Sequence, residues 1–183
     1  MNRDEALEEL KLRVSNKDVL QHSIAVEAVM REFARYYNAD ADIWGLSGLL
    51  HDIDYERTAN NPSLHGIVGA DILENLDIDG AVVYSVRAHN DNNDIPRNRK
   101  MDKVLFLADF FTDLIIKCTL LLPTKKISEV TVEFLQKEMD DKDFSVIANR
   151  DKIGYLNELG LTLEEFIAIS LRALQGVSQE FAL

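Results

Sequence analysis

The chain has 183 residues, 46% of them hydrophobic, with 3 prolines, 8 glycines and a formal net charge of −12. That length and composition suit one globular domain with a real core and exclude a disordered, collagen-like or low-complexity chain. The acidic balance opposes nonspecific binding to nucleic acid and to anionic membranes, so neither is expected as a partner.

The apolar periodicity is helical nearly throughout, and no segment alternates with period two over strand length, so an all-α fold is expected. The N-terminus, MNRDEALEEL, is acidic and amphipathic rather than a secretory signal. Ser15 with Asp18 reads as a capping box opening a helix that runs to about Tyr37, and Asp40 as the cap of a second helix, ADIWGLSGLLHD. Ile53 to Pro62 is polar, lacks an apolar stripe and reads as a loop. Helices are expected at about Ser63 to Leu76 and Asp79 to His89, then a loop over Asn90 to Lys100, NDNNDIPRNRK. A long apolar helix follows from about Met101 to Leu121, ended by Pro123. Ser128 and Thr162 are further N-cap candidates, the latter with Glu165 three residues on and Gly160 suited to the preceding helix end. A single domain over 1–183 is expected, with a core over about 15–122 and C-terminal helices over about 127–183. The most apolar run, Leu114 to Leu122, contains Lys117 and is too short to cross a bilayer, so a cytoplasmic location is expected. Cys118 is the only cysteine and reads as a core residue.

Several polar residues fall where the pattern points inward. His22 shares a helix face with Val19, Val26, Val29 and Phe33, and Asp109 shares one with Leu105, Phe106 and Ile116. His51-Asp52 ends an apolar helix, His65 sits one turn before Gly69, and His89 closes its helix after Val82 and Val86. Taken singly, each reads as a hydrogen-bonded core residue or a helix-end residue. Jointly they differ: all 4 histidines lie between positions 22 and 89 and are accompanied by two inward acids. An ionised acid in apolar company is costly unless it is paired or binds a cation. Imidazole with carboxylate suits a borderline divalent metal, and the lack of paired cysteines argues against a structural zinc site.

The ordered set, His22 in LQHSIAVEA, His51-Asp52 in LLHDIDYE, His65 in LHGIVGADIL, His89 in VRAHN and Asp109 in VLFLADFF, resembles the HD-domain superfamily of metal-dependent phosphohydrolases. The resemblance covers about Val19 to Asp113. It implies an all-α HD fold in which His22, His51, Asp52 and Asp109 bind one divalent ion, with Fe, Mn, Ni, Co and Zn all open. In members with two ions, Asp52 would bridge to a second held by His65 and His89. In members with one, those two histidines contact the substrate phosphate. The stretches HG-VGA, VR-H and DKVLFLAD are similar to the bacterial branch that includes symmetrical dinucleoside-tetraphosphate hydrolases. The chain departs from that branch at Tyr55, where a basic residue is usual, at Asn90-Asp91, where a Thr-Gly stretch is usual, and after Asp109, where an arginine is usual.

The expected chemistry is hydrolysis of a small phosphate ester, a nucleotide above all, by a metal-activated water. Asp52 is the central catalytic carboxylate. Asp54 is a second candidate, for steering water or protonating the leaving oxygen, beside a loop-capping reading. Arg87, Asn90, Arg97 and Lys103 are the candidate substrate contacts, against the reading that the basic cluster balances Asp91, Asp94 and Asp102. A dinucleoside-polyphosphate hydrolase, a diiron oxygenase on the same ligands and a nonenzymatic nucleotide-sensing module are the alternatives. A homodimer is left open.

Overall fold

The computed structural model describes residues 1–140 and 150–180, and among these there are helices and no strand. In chain order the α-helices are α1 Arg3–Lys11, α2 Lys17–Tyr36, α3 Ala41–Leu50, α4 Tyr55–Thr58, α5 Ile67–Asn75, α6 Gly80–Ala88, α7 Lys100–Leu121, α8 Val132–Asp140, α9 Arg150–Leu159 and α10 Leu163–Gly176. The all-α expectation holds. The parts of the expected C-terminal helices over 141–149 and 181–183 lie outside the described residues.

Side chains with short polar groups start these helices by accepting the first free amides. Asn2 and Thr162 head capping boxes with Glu5 and Glu165, and Asp40 accepts from the amides of Asp42 and Ile43. Asn16, not Ser15, caps α2, accepting from the Asp18 amide. Ser15 instead gives its own amide and hydroxyl to Glu56, which also takes the Asn16 amide at 2.7 Å. A long-range carboxylate therefore does what a local box was expected to do. At the other end of the chain Ser128 falls inside a short 3-10 turn, and Thr131 accepts from the Phe134 amide at the start of α8.

Two corrections bear on the site. The expected loop over Ile53 to Pro62 contains α4, a single turn whose Thr58 hydroxyl folds back onto the Asp54 carbonyl. The helix expected from Ser63 begins only at Ile67. Pro62–Leu64 form a 3-10 turn, His65 is extended at ψ 133°, and Gly66 has φ 82°, which a residue with a Cβ rarely adopts. His65 thus stands on a tight connection, not on a helix.

The contacts divide the chain into two compact units, Met1–Asp109 and Phe110–Leu183. In the first unit α3 is the centre: it packs chiefly on α2 and also on α1 and α6, while α5 pairs with α6. Leu49, Leu50, Ile53, Leu73, Val82 and Val86 are the heart of its core. Gly48 sets the approach of α3 to α2, since a Cβ there would lie 2.8 Å from the Val26 carbonyl oxygen and 2.9 Å from Glu27 Cα. In the second unit α10 packs on α8 and α9, and the Phe111 and Phe166 rings meet at 5.2 Å. Cys118 is buried there, as expected, and its thiol is pushed up to about 11 by burial and by Glu138. No described helix is long and apolar enough to cross a membrane.

Candidate metal centre

Six side chains from the first unit converge. His22 comes from the inner face of α2, His51 caps the C-terminus of α3, and Asp52 follows it. His65 comes from the connection before α5, His89 caps α6, and Asp109 closes the unit on α7. His22 Nε2 lies 2.9 Å from Asp109 Oδ1, and His51 Nε2 lies 3.5 Å from Asp52 Oδ2 and 3.7 Å from Asp109 Oδ1. On the other side of Asp52, Oδ1 is 3.1 Å from His65 Nε2 and 3.9 Å from His89 Nε2. The two oxygens of one carboxylate therefore face two different sets, His22 and His51 on one side and His65 and His89 on the other.

Three of the four imidazoles are held by the nitrogen that points away. His51 Nδ1–H donates to the Gly48 carbonyl at 2.7 Å, and His89 Nδ1–H donates to the Val86 carbonyl at 2.6 Å. Both acceptors lie three residues earlier, at the fraying end of the same helix, so closing a helix with histidine both satisfies an orphan carbonyl and aims Nε2 inward. His65 Nδ1 donates to Asp54 Oδ1 at 2.8 Å.

The electrostatics follow from this crowding. Burial would keep Asp52 neutral, but the imidazoles of His51 and His65 outweigh it and bring the carboxyl down to about 2. Asp109 is likewise held well below the carboxylate range against desolvation, by His22 and His51. His51 is raised, since Asp52 and Asp109 overcome its burial. For His65, desolvation is overcome by Asp52 and Asp54, raising it to about 10, whereas burial and the neighbouring His51 and His65 push His89 down to about 4. His65 and His89 face each other Nε2 to Nε2 at 3.0 Å. With both Nδ1 atoms donating outward, two lone pairs would oppose each other there unless a proton or a cation lies with them.

A divalent ion fits this donor set. His51 Nε2 is buried and has no hydrogen-bond partner, although its ring is fully enclosed. An orphaned donor-acceptor of that kind is costly in a core and is resolved by a ligating cation. The second set can take a cation in place of the proton between its two Nε2 atoms.

Residues 19–114, more than half of the chain, match the HD domain family. The chain belongs to that family. Over 94 residues it is 34% identical to the uncharacterized protein MJ0778 of Methanocaldococcus jannaschii, covering 49% of this chain and 54% of that one. It is also 32% identical to ribonuclease Y of Chloroflexus aurantiacus over 82 residues and 33% identical to ribonuclease Y of Opitutus terrae over 86, spanning 44% and 46% of this chain and 16% of each relative. The chain thus spans about half the length of the first of these relatives and a far smaller part of the others. HD-domain proteins are generally metal-dependent hydrolases, and two groups here, His22 with His51 and Asp52, and Asp52 with His65 and His89, bring ligand atoms close enough together to hold a metal ion.

The remaining expected site residues are placed otherwise. Asp54 is fully buried, and both its oxygens are engaged: Oδ1 with His65, Oδ2 with the amides of Gly66 and Gly69 at 2.9 and 2.8 Å. It is a positioning residue for His65, not an acid facing substrate. Gly69, expected to make room for His65, makes room for Asp54, whose Cγ would lie 3.2 Å from a Cβ there. Arg87 is bound to Asp71 and Glu74 of α5, both at 3.0 Å, and clamps α6 to α5. Arg97 is tucked over the Phe106 ring at 3.6 Å and reaches Asp91 and the His89 carbonyl, bracing the turn behind His89. Lys103 is half-exposed on α7, six residues before Asp109 and so about 120° away around the helix. Asn90 spends its amide on the carbonyls of Pro62 and His65. The balancing reading of the basic stretch is the better one, with Arg99 also joined to the buried Asp102 at 2.8 Å.

Sequence reasoning missed Tyr55, Thr58 and Asn92 as site residues. They line a cavity of about 260 Å³ with Ala59, Pro62, His65 and Asn90. The signal was present only at Tyr55, the aromatic that directly follows His51-Asp52-Ile53-Asp54.

Proposed function

We propose that this HD domain hydrolyses the phosphate ester of a small molecule, with a nucleotide as the substrate class. His22, His51, Asp52 and Asp109 would hold one ion, and Asp52, His65 and His89 a second. The observation that carries the reading is the two-sided placement of Asp52, each oxygen facing its own pair of imidazoles. A divalent ion bound there polarises a phosphoryl group and acidifies a water molecule. The protein's own part is to present lone pairs in a fixed frame: the Gly48 and Val86 carbonyls and Asp54 keep Nδ1 of three histidines protonated, so Nε2 faces the centre. Asp109 keeps 37% of its side chain exposed, which leaves the cluster open to water and substrate on that side.

A dinucleoside tetraphosphate is the weaker candidate. Its bridge carries several charges in a chain of net charge −12, and Arg87, Arg97 and Arg99 are occupied by acids of the protein itself. The branch similarity rests on sequence motifs alone. The ribonuclease Y relatives favour a second reading, in which the ester is a phosphodiester of RNA.

Elemental analysis of freshly purified protein, then a phosphate-release screen with the metal found, tests the proposal. Mononucleotides, dinucleoside tetraphosphate and an oligoribonucleotide should be compared at matched concentration and salt. Asp52→Ala is expected to lose metal and activity together. A full complement of metal in Asp52→Ala would overturn the assignment. Oxygen uptake without phosphate release would move the site to oxygenase chemistry, and nucleotide binding without turnover would make the domain a sensor.

A further inference from the structure

The cavity beside His65 has a composition unlike that of a phosphate pocket. Tyr55, Thr58, Ala59, Pro62, Asn90 and Asn92 line it with His65, and no lysine, arginine, aspartate or glutamate does. Phosphate sites are built from cations and converging amides, so this volume is suited to the uncharged part of a ligand. His65 belongs both to the metal cluster and to this lining, which places the cavity directly beside the centre where a phosphoryl group would be held.

Its polar atoms sort into two sets. The Thr58 hydroxyl donates to the Asp54 carbonyl, the Asn90 amide donates to the Pro62 and His65 carbonyls, and Asn90 Oδ1 accepts the Asn92 amide hydrogen. These groups are spent on holding the floor. Tyr55 is 45% exposed, with its ring perpendicular to that of His65 at a centroid distance of 6.2 Å, and Asn92 is exposed. An exposed aromatic residue lining the cavity with an amide matches a planar heterocycle, which stacks on an aromatic ring and presents donors and acceptors at its edge. At about 260 Å³ the cavity lies below the usual range for a drug-sized ligand, so it takes one ring system and not two.

We infer that this cavity seats the nucleobase of a nucleoside monophosphate, with Tyr55 stacking on the ring and Asn92 reading its edge. The inference rests on the phosphohydrolase reading for the phosphate and on the cavity alone for the base. It also gives Tyr55 a use: an aromatic beside the cluster selects a base where a longer phosphate chain would want charge.

Two measurements separate the inference from the reading beneath it. In the first, metal-loaded protein is titrated calorimetrically with adenosine, guanosine, cytidine and uridine, which carry no phosphate. At least one is expected to bind, and Tyr55→Ala to weaken it about tenfold or more, with Tyr55→Phe close to the native protein. In the second, kcat/KM for each nucleoside monophosphate is divided by that for ribose 5-phosphate. The native ratio is expected to exceed one for at least one base and to fall about tenfold in Tyr55→Ala through KM. Asn92→Ala is expected to change the order of preference among bases. Nucleoside binding that depends on Tyr55, without any phosphate release, would sustain the base subsite and sink the hydrolase reading. Ribose 5-phosphate turned over as well as every nucleotide, with no nucleoside bound, would overturn the subsite and leave the hydrolase standing.

Discussion

Asp54 takes three hydrogen bonds in a fully enclosed place, one from His65 and two from the amides of Gly66 and Gly69. An asparagine cannot accept all three. Its single oxygen would serve the two amides and its NH2 would face His65 Nδ1, driving the imidazole to the tautomer with hydrogen on Nε2 and removing the inward lone pair. Asp54→Asn is therefore expected to weaken metal binding by about 10–100-fold, read by competition with a chelator. Unchanged affinity would show that His65 does not depend on this carboxylate. A second expectation concerns the proton shared by the histidine pair. His65 is raised from 6.5 to about 10, so its proton stabilises the metal-free fold below about pH 6.5, and that stabilisation is lost as pH rises through about 10. An ion at Asp52, His65 and His89 must displace it. Metal uptake near pH 7.5 is then expected to release about one proton at this set, and affinity to rise about tenfold per pH unit toward 10. Calorimetry in two buffers of different ionisation enthalpy measures the release; none at all would place the ion elsewhere.

At the level of helices, the centre depends on how closely α3 rides on α2. Gly48 is where backbone meets backbone, and its carbonyl also holds His51. Gly45 is close only to the Arg31 side chain, with Nε 2.6 Å from an added Cβ. A flexible side chain can move where a carbonyl cannot. Gly48→Ala is therefore expected to cost about 1–3 kcal/mol in denaturant unfolding and to weaken metal binding, and Gly45→Ala to cost less. Equal costs would mean that α2 and α3 can separate without consequence. Helix ends also mark what was legible in the sequence. Asp40, Thr162 and Gly160 carry their roles in local spacing, and the structure keeps them. Glu56 was not legible as a cap for the start of α2, because nothing local ties it to Ser15 and Asn16 forty residues earlier. His65 was misplaced onto a helix for a related reason: its extended backbone is fixed by Asn90 and Asn93, which hold its carbonyl from a distant loop.

Across the molecule, the six converging residues come from α2, the end of α3, the connection before α5, the end of α6 and α7, so a bound ion would join segments far apart in sequence. Their inward placement was legible because an ionisable group on an apolar helical face is expensive and therefore informative. The substrate contacts were not, since a surface arginine carries no periodicity that distinguishes a phosphate from Asp71 or Asp91 as its partner. The second unit contributes none of the six, and this fixes where an ion should act. Binding to the native state alone adds about 2.7 kcal/mol when free metal is a hundredfold above its dissociation constant. Amides of α2, α3, α5 and α6 that exchange through opening of the first unit are then expected to slow by about a hundredfold on metal loading. Those of α8 and α10, in Phe110–Leu183, should change far less. Hydrogen exchange followed by mass spectrometry, with and without chelator, reads both at once. Equal slowing across the two units would mean that the chain opens as one body and that metal holds all of it; slowing confined to the second would put the ion somewhere other than at Asp52.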